Sequence, residues 1–360
     1  KGQVENFIQS CISSIGGEAV NLVGIQGGYV AVPARYQQDK LHLQISPDFS
    51  VPLWAYGNQT YIPELSSIKE QIDTHIERNL RDCLFALEPF QASYNIIEKS
   101  DIDADTKILD RKIIFDVYWD LEVQEKSGEV ISQLTNHAAQ SSVRLKKTYE
   151  TARAIMEKEM NDLKLEDITQ DLIALEHPKV PVAGIELSCR KKQWDVNEAR
   201  RTLQDMIRYN LKQLQIRGTE VLDYPEGFPY YESHYLWKID DDFRSKDISV
   251  IFNYENNYPF EFQVYPTKNG KLQSGAVGGQ DLLKFLCVQS WKFVYDVSYP
   301  VMVRVRDDTT GYNFNFAFSV HLVNNYPNRN RVIPERPTIG FDYITDEEFC
   351  LRNRVPIHVR

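Results

Sequence analysis

The chain has 360 residues, of which 42% are hydrophobic and 26% are charged, a balance typical of a folded globular protein rather than a disordered one. Its formal net charge of −10 argues against the clustered Lys and Arg that binding to nucleic acid requires, so no nucleic acid partner is expected. The sequence contains no run of about 18 apolar residues that would span a bilayer, and we expect membrane contact only through an anchor outside this chain.

An amphipathic helix opens the chain. Apolar residues recur at three- and four-residue spacing from Val4 to Leu22 and include Cys11. The pair Gly16-Gly17 weakens this helix in its middle, at a position where the helix could end early. A strand is predicted from Tyr29 to Val32, and the proline-containing stretch 33–63 is predicted to be loop.

A second helix follows, with Ser67 and Glu70 at capping-box spacing and Cys83 on its apolar stripe. The alternation of side chains predicts the next elements, which are strands at 93–98, 112–124 and 129–134 and a long helix at 145–163. Beyond an extended connection at 176–184, the predicted elements are a helix starting at Asp195, strands at 230–239, 247–254 and 261–265, a short helix at 280–287, and a hairpin of 291–306 with 312–323.

One strand pattern occurs twice, at Ile114–Trp119 and at Val294–Tyr299. In each copy apolar and polar residues alternate, and a helix-like segment with a cysteine comes before it. We therefore predict an α+β fold of two related units, each with amphipathic helices packed on an antiparallel sheet, plus the start of a C-terminal β-domain. The predicted boundaries are 1–178 and 179–325 for the two units and 326–360 for a linker and an incomplete β segment.

Five cysteines are spread singly, without the CxxC spacing of zinc or thiol redox sites. Three of them lie within or beside the apolar face of a predicted helix, which fits either buried free thiols or disulfides. The repeat favours the bridges Cys11–Cys83 and Cys189–Cys287, with Cys350 left to pair with a group beyond this chain. Disulfides persist in oxidising compartments, so these bridges predict an oxidising compartment outside the cytosol.

No set of residues identifies a reaction, and no catalytic residue, metal ligand or cofactor is predicted. Asp101, Asp103 and Asp105 alternate as calcium ligands do, but Thr106 and Lys112 stand where an EF-hand needs Gly and Glu.

Two weaker features concern ligands and modification. Tyr231, His234 and Trp237 form a possible ligand face on a predicted strand, although a histidine satisfied within the strand is the simpler interpretation. Asn58 begins a glycosylation sequon.

Several segments carry a resemblance to a known group of proteins: Gln3–Cys11, Leu22–Val30, Ile76–Cys83, Gly184–Cys189 with Trp194, and Tyr295–Val301. The chain resembles uncharacterised, N-terminally membrane-anchored surface proteins of small-genome (DPANN-type) archaea, which share a Cys-bearing helix followed by a turn of the form Gly-x-Gln-Gly-Gly-Tyr. This resemblance implies a secreted, surface location and a topology. It implies no activity, because none is assigned to the group.

We expect a non-enzymatic, disulfide-stabilised scaffold for structure, adhesion or assembly, whose partners are other proteins or further copies of the chain. The aromatic-rich second half leaves open an extracellular hydrolase acting on glycans or a carbohydrate-binding module. A small-ligand binding module would need a deep cleft around His234 and Trp237. Facing carboxylates in a cleft would favour the hydrolase, whereas a long exposed edge strand near 312–323 would favour assembly by strand addition.

Overall fold

The structure is a computed structural model that describes residues 2–38, 41–85, 94–219, 235–240, 243–276 and 287–330. Its helices are α1 (Gly2–Ile25), α2 (Ala34–Gln38), α3 (Leu65–Phe85), α4 (Leu145–Asp162), α5 (Lys164–Ala174) and α6 (Val196–Leu211). In the described part of the chain, no helix has the length and apolar character needed to cross a bilayer.

The strands of the first half are β1 (His42–Gln44), β2 (Ser50–Tyr56), β3 (Gln59–Thr60), β4 (Tyr94–Glu98), β5 (Asp103–Ile108), β6 (Ile113–Glu125) and β7 (Val130–Ser141). Those that follow are β8 (Ala183–Leu187), β9 (Gln193–Asp195), β10 (Gln215–Ile216), β11 (Leu236–Trp237), β12 (Ile248–Asn253), β13 (Glu261–Tyr265), β14 (Lys271–Gln273), β15 (Gly275–Ala276), β16 (Val288–Lys292), β17 (Val294–Asp307), β18 (Asn313–Val323) and β19 (Tyr326–Pro327). The predicted α+β class is thus confirmed.

Two larger sheets organise these strands. One has eight strands in the order β1-β2-β18-β17-β12, with β3 paired to β2, β13 to β17 and β19 to β18. Its pairs are antiparallel except β2 with β18. The other sheet is antiparallel and has four strands, with β4 and β5 on one side of β6 and β7 on the other. Because β1 to β3 join strands from the second half, the eight-stranded sheet draws on both predicted units.

The strand pattern that the sequence repeats occupies equivalent places in the two sheets. Ile114–Trp119 lies in the first half of β6, and Val294–Tyr299 lies in the first half of β17. On one side, each long strand pairs with two shorter strands that precede it in the chain. β4 and β12 pair with the second halves of β6 and β17, and β5 and β13 pair with the first halves. On its other side each pairs with the long strand that follows it. The two sheets therefore share one strand arrangement around their longest strand.

Pro300 lies within β17, where the sequence predicts an edge or a bulge. Strand β13 pairs with residues up to Ser298, and β12 pairs with residues from Met302 onward. Pro300 therefore falls in the interval between two partners on that side of the strand. A residue that has no backbone N–H to donate is tolerated at such a place.

Helix α1 lies in the core and contacts α3 and strands of both larger sheets. The predicted weak point at Gly16-Gly17 does not end the helix, which continues to Ile25. At Gly16 the ring of Phe115 lies 2.7 Å from the place that a Cβ atom would occupy. The close approach of strand β6 therefore requires the glycine, and tertiary packing offsets its low helix propensity.

The stretch predicted as loop contains a strand. β2 runs through it, and all but the last of its seven residues are buried. It was missed because residues covered on both faces do not alternate and because Pro52 argues against a strand. Conversely, the predicted strand at Tyr29–Val32 is irregular loop in the structure.

An ion cluster fixes the start of α4 against the β17–β18 hairpin. Arg144 donates to both carboxylate oxygens of Asp307 and, at 2.6 Å, to Asp247, which Lys147 also binds. Burial alone would raise the pKa of Asp307, but hydrogen bonds from Arg144 and Thr310 outweigh it and hold the pKa at about 2. The cluster stays ionised at neutral pH and joins a helix to a hairpin that lies 163 residues further along the chain.

Candidate functional site

The first predicted disulfide is confirmed. Cys11 of α1 bonds to Cys83 of α3, with a Cα–Cα distance of 6.0 Å. The two cysteines meet because each lies on the inward apolar face of its helix. The stripe on α3 consists of Ile68, Ile72, Ile76 and Leu80, all fully buried. The bond links two helices through cysteines that are 72 residues apart in sequence.

The second predicted disulfide, Cys189–Cys287, is also confirmed, with a Cα–Cα distance of 4.3 Å and a sequence separation of 98. Cys189 follows β8, and Cys287 precedes β16, which pairs antiparallel with β8. The backbone N–H of Ser188 also donates to the carbonyl of Cys287. This bond therefore closes the end of a strand pair. Cys350 and the predicted C-terminal β segment lie outside the described residues.

The most concentrated buried charge in the described structure surrounds Arg329. Its Nε and Nη2 atoms donate to the two oxygens of Glu166 at 2.6 and 3.0 Å, and Nη2 also donates to Glu159 at 2.9 Å. Both carboxylates are completely buried, and Arg329 is 7% exposed. We call these three residues the Arg329 cluster.

The turn between α4 and α5 positions the two carboxylates. Leu163 takes up left-handed backbone at φ 53°, which ends α4 and begins α5. The carboxylate of Glu159 then accepts the backbone N–H groups of Lys164 and Leu165 at the start of α5. Burial raises the pKa of Glu159 well above its usual range, and the negative charge of Glu166 raises it further.

His321 lies beside the Arg329 cluster. Its backbone N–H donates to Glu166, and its ring meets that of Tyr56 edge to face at 5.2 Å. Neither ring nitrogen has a hydrogen-bond partner among the described residues, and burial lowers the pKa of His321 to about 4. The imidazole is therefore neutral at physiological pH, and Arg329 is the cation of this site.

The Arg329 cluster joins three parts of the fold. Arg329 follows β19, whereas the two glutamates come from α4 and α5. Every carboxylate oxygen of the pair accepts a hydrogen bond from Arg329 or from the backbone. Because these buried groups satisfy one another's hydrogen-bonding capacity and charge, the Arg329 cluster is a structural ion cluster.

The predicted ligand face is only partly described. Trp237 is buried, packs against Phe252 and donates its indole N–H to Asp162 at 3.2 Å. Its side chain is thus part of the core. Tyr231 and His234 lie outside the described residues.

Two of the surface cavities contain carboxylates. One of about 570 Å³ lies at the end of α1 and includes the single carboxylate Asp48. The other, of about 270 Å³, lies on the outer face of the four-stranded sheet beside Asp103, Asp105 and Asp116. Lys69 binds Asp105 at 2.9 Å and lowers its pKa, and Lys107 binds Asp116 at 2.7 Å.

The remaining predictions concern cations and modification. Asp101 pairs with Arg81, and within the described residues no group of three or more His, Cys, Asp or Glu side chains is arranged to hold a metal ion. Asn58 is exposed in the tight turn between β2 and β3, so its side chain is accessible. Its glycosylation stays a prediction.

Edges and exposed apolar side chains are the other surface features. Strand β18, where an exposed edge would have favoured assembly by strand addition, is paired on both sides, by β17 and by β2. The long unpaired edge is instead that of β7, which among the described residues pairs only with β6. On the shorter strand β8, Ile185 and Leu187 are 75% and 81% exposed.

Comparison with protein-family models, with curated proteins and with solved structures found no significant match to this chain.

Proposed function

We propose that the protein is a non-enzymatic, disulfide-stabilised scaffold at the outer surface of a cell, used for structure, adhesion or assembly. The pair of long-range disulfides is the observation that carries the proposal. Such bonds persist in oxidising surroundings and not in the reducing cytosol. The resemblance to anchored archaeal surface proteins supports the same location.

The distribution of charge supports a scaffold. The buried carboxylates Glu159, Glu166 and Asp307 are all bound by arginines that join separate elements. A buried ion pair is costly to break, so these groups hold a defined arrangement of helices and sheets. The exposed Asn58 would accept a glycan in an export pathway without disturbing the fold.

Glycan hydrolysis is the weaker alternative. A glycosidase needs two carboxyl groups about 5 to 9 Å apart in an open cleft, one of them with a raised pKa. In the described structure, the carboxyl group with a strongly raised pKa belongs to Glu159, which is completely buried and bound to Arg329. The acidic cavity instead holds Asp105, whose pKa Lys69 lowers.

Surface labelling of intact cells that make the protein tests the location. A membrane-impermeant amine reagent is expected to label the chain to the same degree before and after lysis, because its exposed lysines would face the medium. A cytosolic protein of the same cells is the control and should be labelled only after lysis. Labelling of the chain only after lysis would contradict the proposal.

A further inference from the structure

Strand β7 forms a long free edge. It spans Val130–Ser141, and within the described residues its ladder partner is β6 alone. Along a free edge the outward-pointing N–H and C=O groups lack partners in the sheet and can pair with another strand. The opposite side of the same sheet ends in two short strands, β4 and β5.

β7 lacks the side chains that usually protect an edge. Its sequence VISQLTNHAAQS contains no Lys, Arg, Asp, Glu or Pro. By contrast, β5 carries Asp103, Asp105 and Lys107, and β8 carries Glu186. Natural sheets avoid edge-to-edge association with charges, prolines, bulges or short strands. The long edge of this sheet lacks charge and proline, whereas the short edges carry charge.

One part of β7 is suited to pairing. Two register shifts disturb the β6–β7 ladder toward the beginning of β7. From Asn136 to Ser141, however, the residues pair one to one with Tyr118 to Ile113. This straight run of six residues has small side chains at its centre, Ala138 and Ala139, so another backbone can approach without a steric clash.

We propose that this run pairs antiparallel with the same run of a second copy of the chain. A two-fold axis through Ala138 would place this residue opposite its own copy, with His137 opposite Ala139 and Asn136 opposite Gln140, so that opposite side chains lie on the same face of the sheet. This contact is self-complementary and closed.

Charge favours a second copy at this place. With a net charge of −10, two chains repel each other over most of their surfaces, whereas β7 has no charge of its own. On the neighbouring strand β6, Asp116 is neutralised by Lys107 at 2.7 Å. Pairing through β7 would join two four-stranded sheets into one without opposing like charges.

The inference rests on the proposed function, because it specifies how copies of a surface scaffold would associate. The pairing buries a small area, and we expect weak association that appears only at high protein concentration. Sedimentation equilibrium over a wide concentration range measures it. The average mass is expected to rise from the monomer value of 41.9 kDa toward that of a dimer.

The variant Ala138→Lys tests the surface. Ala138 is exposed, so the fold is expected to tolerate lysine, while two lysines close to the two-fold axis should weaken association by about tenfold or more. The matched control is Ile185→Lys, which changes an exposed apolar residue on β8 and should leave association unchanged. Both variants should retain the two disulfides and the circular dichroism of the parent.

Hydrogen exchange identifies the strand. The amides within Asn136–Ser141 that point away from β6 should become more protected as the protein concentration rises. A chain that stays monomeric, an equal affinity for Ala138→Lys and the parent, or full protection of these amides already in the monomer would overturn the inference. If such a chain is still labelled on intact cells, the proposed function stands and only the pairing fails.

Discussion

Replacing Arg329 by methionine is expected to lower the free energy of unfolding by about 3 to 5 kcal/mol at neutral pH, because two buried carboxylates lose their cation. Methionine has a similar length and leaves little empty space, so the loss reports on charge rather than on packing. Urea denaturation followed by circular dichroism measures the difference between the variant and the parent.

The pH dependence of that difference identifies its cause. Burial and the neighbouring Glu166 already raise the pKa of Glu159. Without Arg329 we expect the pKa of Glu159 to rise further, and acid removes the uncompensated charge by protonation. The deficit should therefore be largest near neutral pH and shrink as the pH falls toward about 4.

The double variant Arg329→Met with Glu166→Gln is the control. It removes one cation and one anion together, so it should recover part of the stability that Arg329→Met loses. A deficit for Arg329→Met below about 1 kcal/mol, or one that does not change with pH, would contradict the structural role of the Arg329 cluster.

Removing the bond between α1 and α3 is expected to cost about 4 kcal/mol, because the unfolded chain regains the entropy of a loop of 72 residues. The suitable variant is Cys11→Ala with Cys83→Ser, since Cys11 is buried and Cys83 is partly exposed. Denaturation without reductant measures the loss.

Reductant provides the matched control for this prediction. The parent should lose stability when dithiothreitol is added, whereas the Cys11→Ala, Cys83→Ser variant should lose only the part due to Cys189–Cys287. A parent whose midpoint does not move on reduction would show that neither bond constrains the unfolded chain.

Local patterns were sufficient to predict most of the long helices and strands and, together with the repeat, the cysteine pairing. The stripe from Ile68 to Leu80 places Cys83 on the same buried face that meets Cys11 of α1. The alternation in β6 identifies its buried side, whereas in β17 both faces are covered from Tyr295 to Val303 and the expected single buried face is wrong. These features depend on periodicity within one segment, which a single sequence contains.

Features that depend on tertiary contact were missed. Strand β2 has no alternation because both of its faces are covered, and α1 continues through Gly16 because Phe115 fills the adjacent space. The second half of β7 is polar and rich in alanine, so its extension to Ser141 is apparent only from its pairing with β6.

The Arg329 cluster also depends on tertiary contact, and it was not predicted from the sequence. Glu159 and Arg329 are 170 residues apart, and no local pattern relates them. One signal was present in the sequence. Glu159 follows Tyr149, Ala152, Ile155 and Met156 at helical spacing, so a carboxylate stands in line with the buried stripe of α4. A charged residue at such a position requires a buried partner.

The state of the cysteines in the native protein tests the central claim most directly. Protein isolated from its own cells, alkylated without reduction and digested, should yield the linked peptide pairs Cys11–Cys83 and Cys189–Cys287. Recovery of all four cysteines in alkylated form would contradict an exported, crosslinked scaffold and would favour a reducing compartment.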